Sequence, residues 1–219
     1  GDYLILNKDD QATQTYLNEH SLNPKTVFFT MNEQLTGDGA YLNQHELVIR
    51  VNGEPFKISI NELSLKGRHN QYNSMAAGIS ARVAEIRDTS LHECLKTFKA
   101  LEHRMETVAT IRGVEFINDS KATNLNSVWY ALESMSKPTV LILGGMDKGN
   151  DYNEIKNLVK EKVKAIVCLG ADNTVIRDFF REVVPVMDTH QVDEAVRAAY
   201  GLAEPGDCVL LSPACASFD

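Results

Sequence analysis

The stretch Asn118-Asp119-Ser120-Lys121-Ala122-Thr123-Asn124 decides how this chain is read. An apolar run over 114–117 leads into it and an apolar-periodic segment over 125–135 leads out, so a dense polar cluster sits on a strand-to-helix turn. Polar side chains crowded there add little to a core, and in open α/β sheets ligands bind in the crevice outside the carboxyl ends of the strands. The cluster is expected to be part of a site.

The same pattern returns twice downstream. Thr139-Val140-Leu141-Ile142-Leu143 is a continuous apolar run of the kind that forms a buried parallel strand, and Gly144-Gly145-Met146-Asp147-Lys148-Gly149-Asn150-Asp151 follows it. The glycines allow a tight turn and close approach of a ligand. Cys208-Val209-Leu210-Leu211 then opens into Ser212-Pro213-Ala214-Cys215-Ala216-Ser217-Phe218-Asp219. If the three strands are parallel, Asp119, Lys121, Thr123, Asp147, Lys148, Ser212 and Ser217 share one sheet edge, whose lysines and hydroxyls suit carboxylates or phosphates.

Around these units the chain alternates strand and helix. Helices are expected near 125–135, 152–162, 173–183 and 192–202, between strands near Val114, Thr139, Ala165, Val184 and Cys208, which implies an α/β, mostly parallel sheet covered on both faces. Asp151 and Glu154 are spaced as an N-terminal cap for the second of these helices. The first part reads as strands and turns, with a hairpin at Asn52-Gly53 between two alternating runs. A helix over 70–86 carries Tyr72, Met75, Ala76, Ile79 and Val83 on one face, with Asn70 as a candidate cap. Ser90 and Glu93 have capping-box spacing for another helix. The expected division is 1–100 and 101–219.

A formal charge of −8 with no clustered basic face argues against a nucleic-acid partner. The four cysteines lack paired spacing, no segment approaches the roughly 18 apolar residues of a spanning helix, and the amino end has no leader pattern; a reduced, cytoplasmic protein off the membrane is expected. The histidines form no zinc-binding spacing.

The segments 67–73, 101–106, 118–124, 144–149 and 211–219, taken in order, resemble the motif series of the Mur ligases, and within them the D-glutamate-adding enzymes. That resemblance implies the distal part of a central ATPase domain followed by a Rossmann-like carboxy-terminal domain. It implies a monomeric ligase that uses ATP and Mg²⁺ to join D-glutamate to UDP-N-acetylmuramoyl-L-alanine through an acyl phosphate, in peptidoglycan precursor synthesis. By the same resemblance Lys121, Thr123, Lys148, Ser217 and Phe218 hold D-glutamate, and Asn70, Asn73, His103, Arg104 and Asp119 hold ATP. Phe218 stands where leucine is frequent in the family, a change that leaves a backbone contact possible.

The sequence contains no G-x-x-x-x-G-K-[ST] loop to cradle ATP phosphates, and the family's carbamylated lysine and magnesium ligands precede this region. The chain is therefore expected to be part of a longer enzyme and inactive alone. The alternatives are another Mur ligase, a folylpolyglutamate synthase, or a nonenzymatic nucleotide-binding module.

Overall fold

Most of the strands form where the apolar runs lie. The computed structural model describes residues 2–99, 101–146 and 148–215, in two compact units, Gly1–Lys99 and Ala100–Asp219.

In the first unit β1 (Tyr3–Asn7), β2 (Lys25–Thr30), β3 (Gly39–Asn43), β4 (Glu46–Arg50) and β5 (Phe56–Ser59) form one sheet in that order. β1, β2 and β3 run parallel, whereas β4 and β5 are antiparallel additions. The hairpin between β4 and β5 contains Asn52 at a left-handed φ of 51°, a conformation asparagine tolerates. α1 (Gln11–Glu19) was not expected: none of its residues is buried, so no apolar stripe marks it. Its start is set instead by Asp10, whose carboxylate accepts from Thr13 N at 2.7 Å.

α2 (Arg68–Val83) buries Tyr72, Met75 and Ile79 against this sheet. Its cap is Gly67, not Asn70, whose Nδ2 donates instead to the Lys66 carbonyl at 2.8 Å. A Cβ on Gly78 would stand 2.1 Å from Ile49 Cδ1, so the helix lies on β4 closely enough that a side chain there would have to displace the Ile49 side chain. α3 (Asp88–Thr97) begins before Ser90, which corrects the expected capping box. Asp88 in its first turn complements the helix dipole.

The second unit holds a six-stranded sheet made of β6 (Glu106–Ile111), β7 (Val114–Asn118), β8 (Thr139–Leu143), β9 (Val163–Leu169), β10 (Val186–Thr189) and β11 (Cys208–Leu211). The order is β10-β9-β8-β11-β7-β6, and only β6 is antiparallel to its neighbour. All five residues of β8 are buried because both faces are covered. Leu141 and Leu143 pack with α4 (Leu125–Ser134), α5 (Asn153–Lys162) and α6 (Thr174–Phe180). Val140 and Ile142 point the other way, to Ala195 and Ala199 of α7 (Val192–Leu202). Asp151 does not cap α5; Tyr152 does, while Asp151 Oδ1 accepts from Asn153 N at 3.1 Å in a local turn.

β11 inserts between β7 and β8, reached by a helix on the opposite face from those that follow β7 and β8. A parallel sheet whose connections reverse in this way opens a crevice at the carboxyl ends of its strands. Gly144 lies at that edge with φ 135°, and a Cβ there would stand 2.5 Å from the Leu169 carbonyl oxygen.

Gly144→Ala combines a left-handed conformation with a backbone clash, so it should destabilise the second unit by about 2–3 kcal/mol. Trp129 on α4 is the only tryptophan, so its fluorescence in a urea titration reports that unit. An unchanged midpoint would show that the turn adapts freely.

Candidate functional site

The polar turn after β7 is built from the strand end outward. Asp119 follows the last residue of β7, and its N–H donates to the Leu211 carbonyl at 2.8 Å, extending the β7–β11 ladder to the edge. The turn then closes as Ala122 N donates to the Asp119 carbonyl at 2.9 Å. Asn124 starts α4 by accepting from Ser127 N at 2.9 Å.

Two further loops are stitched to this turn. Ala214 N donates to the Ala122 carbonyl at 2.9 Å, and Gly144 N donates to the Pro213 carbonyl at 3.0 Å. Asn150 Nδ2 reaches the Ala214 carbonyl at 3.1 Å. The turn after β7, the loop after β8 and the loop after β11 are thus one hydrogen-bonded edge.

Asp119 is only 4% exposed. Its Oδ2 accepts from Ser212 Oγ at 3.1 Å and its Oδ1 from Met105 N at 3.2 Å. Burial pushes the Asp119 carboxyl up; the Ser212 hydroxyl, the Met105 amide and the Arg104 charge oppose this without cancelling it.

The segment before β6 joins the same edge. Lys121 N donates to the His103 carbonyl at 3.1 Å, His103 Nδ1 and Asn118 Nδ2 stand 2.9 Å apart, and His103 N donates to Glu106 Oε2 at 2.8 Å. His103 and Met105 both take left-handed φ values, 65° and 48°. Such conformations in residues other than glycine persist where the surroundings fix them, and they frequently mark sites. Exposed Arg104 lies between the two.

Of the residues expected at the site, His103, Arg104, Asp119, Lys121 and Thr123 come together around the turn after β7, with Lys121 exposed and Thr123 half-buried. Lys148 stands exposed in the loop after β8, on the same sheet edge. Asn70 and Asn73 lie in the first turns of α2, in the other unit. Ser217, Phe218 and Asp147 lie outside the described residues. The sequence placed Ser212 on the edge but not in contact with Asp119; its signal was its position directly after a buried parallel strand. Among the described residues no three His, Cys, Asp or Glu side chains gather into a metal-binding group.

An open α/β sheet with a buried carboxylate, lysines and strapped loops on its carboxyl edge has the architecture in which small charged ligands are commonly held. The chain belongs to the Mur ligase family: residues 103–215 match the family described as Mur ligase, glutamate ligase domain. It is 50% identical to the UDP-N-acetylmuramoylalanine–D-glutamate ligase of Bacteroides thetaiotaomicron, over all of this chain and 49% of that protein. It is 44% identical to the enzyme of the same name from Porphyromonas gingivalis, over all of this chain and 49% of that protein. The chain thus spans about half the length of the curated relatives it matches. Among solved structures, MurF from Acinetobacter baumannii shares the fold with a TM-score of 0.69 at 15% identity, over 97% of this chain and 49% of that one. A pseudomurein peptide ligase type C from Methanothermus fervidus does so with a TM-score of 0.68 at 16% identity, over 95% of this chain and 53% of that one.

The raised Asp119 value predicts the sign of a stability change. A carboxyl raised in the fold favours folding below its unfolded value of about 3.9, and that contribution is lost as pH rises through the folded value. At neutral pH the buried charge therefore opposes folding. In Asp119→Asn the amide oxygen can still accept from Met105 N and the amide nitrogen can donate to Ser212 Oγ. The urea midpoint followed by Trp129 should accordingly be higher than wild type at pH 7, with the gap closing as the pH falls toward about 4. A variant less stable than wild type at pH 7 would contradict this.

Proposed function

We propose that this chain is the distal half of an ATP-dependent ligase that adds D-glutamate to UDP-N-acetylmuramoyl-L-alanine in the cytoplasm. The observation that carries the reading is the strapped edge with lysines on it, in a chain 44–50% identical over its whole length to relatives that bear this activity in their names. In the reaction ATP phosphorylates the alanine carboxylate, releasing ADP. The D-glutamate amine then attacks the acyl carbon, and phosphate leaves as the amide forms. Mg²⁺ would spread the phosphoryl charge, held by residues outside this chain.

The part assigned to this chain is binding and aim. Lys148, Lys121 and Thr123, with Ser217 and the Phe218 backbone, compensate the two carboxylates of D-glutamate, so that its amine faces the acyl carbon. Positioning of that kind supplies roughly 7–11 kcal/mol in favourable cases. Asp119 accepts from a ribose hydroxyl, a donor suited to a desolvated carboxylate. Arg104 pairs with the nucleotide through its planar guanidinium, beside His103. Asn70 and Asn73 offer amides, which both donate and accept as an adenine edge requires. The lysine after a glycine turn favours D-glutamate over other amino acids, because it meets the second carboxylate.

In the full-length enzyme Lys148→Ala should raise the KM for D-glutamate by roughly 10- to 100-fold, the loss of one charge-assisted hydrogen bond of about 1.5–3 kcal/mol. The KM for ATP should hardly move. Steady-state kinetics with each substrate varied in turn tests this, and an unchanged D-glutamate KM and kcat would return Lys148 to the solvated surface. The 219-residue chain alone should turn over no ATP above a blank, since no phosphate-cradling loop lies within it. Turnover by the purified chain would overturn that assignment.

A further inference from the structure

Asp9 lies just beyond β1, at the carboxyl end of the first unit's parallel strands, and the reading above gives it no role. Its Oδ1 accepts from Thr30 Oγ1 at 2.6 Å, while its Oδ2 accepts from Met31 N at 2.7 Å and from Tyr72 Oη at 2.8 Å. Thr30 is fully buried and its Oγ1 accepts in turn from Asn32 N at 3.1 Å. Lys8 N donates to the Phe29 carbonyl at 2.9 Å, so the backbone carrying Asp9 is itself fixed to β2.

Burial pushes the Asp9 carboxyl up, but the hydrogen bonds from Thr30, Met31, Tyr72 and Asn32 together outweigh it, and the group stays below the ordinary carboxylate range. A carboxylate engaged this fully holds its neighbours in place and is not set up to exchange protons.

One of those neighbours is on α2. Asn70 and Asn73 are three apart and share a helix face, whereas Tyr72 between them is turned into the core and only 8% exposed. The bond from Tyr72 to Asp9, together with the packing of Tyr72, Met75 and Ile79 on the sheet, holds the rotation of the first turns of α2 about the helix axis. That rotation sets the direction of the face carrying Asn70 and Asn73.

We infer that Asp9 is a positioning residue for nucleotide binding: through Tyr72 it locks Asn70 and Asn73 in register with the carboxyl ends of β1 and β2. The inference rests on the proposed function, in which those amides meet the adenine of ATP. Asp9 itself touches no substrate.

The test uses the full-length enzyme with Asp9→Asn, Tyr72→Phe and the double variant, with kinetics for each substrate and calorimetric titration of a non-hydrolysable ATP analogue. Asp9→Asn should raise the ATP KM and the analogue Kd about tenfold, equal to about 1.4 kcal/mol, with the D-glutamate KM within about twofold of wild type. Tyr72→Phe should give a smaller rise of about two- to fivefold, and the double variant should be no worse than Asp9→Asn, because both remove one tie. A lowered melting temperature or kcat with analogue affinity unchanged would make Asp9 a purely structural hub and overturn the inference. If Asp9→Asn does not fold, Tyr72→Phe decides: unchanged analogue affinity overturns the inference, and a selective loss supports it. A wild-type enzyme that binds the analogue yet adds no D-glutamate would overturn the ligase reading while leaving this test intact.

Discussion

The carboxyl edge of the second unit's sheet is organised around one buried carboxylate. Asp119 sits where β7 ends, and its two oxygens collect a hydroxyl from the residue after β11 and an amide from the segment before β6. Chain segments distant in sequence are thereby held at one point, and the left-handed residues around Arg104 are fixed there. The cost is visible in the raised Asp119 value, since burial outweighs its donors. A carboxylate short of donors at an open sheet edge is where a ligand hydroxyl gains most, because it arrives at an acceptor already desolvated.

Asp9 and Asp119 make an instructive pair. Both follow a parallel strand at its carboxyl end, yet their carboxyls are shifted in opposite directions, Asp9 down and Asp119 up. Asp9 is only half-buried and has donors from Thr30, Met31, Tyr72 and Asn32; Asp119 is nearly inaccessible and has Ser212 and Met105. The first is a fully engaged hub suited to holding α2, and the second has fewer donors for a more deeply buried charge. The same residue type near the carboxyl end of a strand differs in this way because the balance of burial and donors differs.

The fold was legible where burial is two-sided. The runs that became β8 (Thr139–Leu143) and β11 (Cys208–Leu211) stand out because both faces are covered, and α7 (Val192–Leu202) because its apolar face is regular. α1 escaped notice because it buries nothing, and β6 because it is an exposed edge strand with no continuous apolar run. The caps expected at Asn70, Ser90 and Asp151 failed for a shared reason: spacing shows that a side chain could cap, while the neighbouring turn decides whether it does. For the site, the turn after β7 could be read from its polar cluster between a strand and a helix. The Ser212–Asp119 contact could not, because its partners are 93 residues apart and only the insertion of β11 between β7 and β8 joins them.

The central claim is that the carboxyl edge of the second sheet takes D-glutamate. The most direct test is a titration of D-glutamate into the isotopically labelled 219-residue chain, followed by amide NMR. The account predicts saturable shifts confined to the turn after β7, at Lys121, Ala122 and Thr123, and to Gly145 and Lys148 after β8, with a weaker response to L-glutamate. Shifts centred on the opposite edge, around Lys137 and Lys164, or equal responses to the two enantiomers, would contradict it.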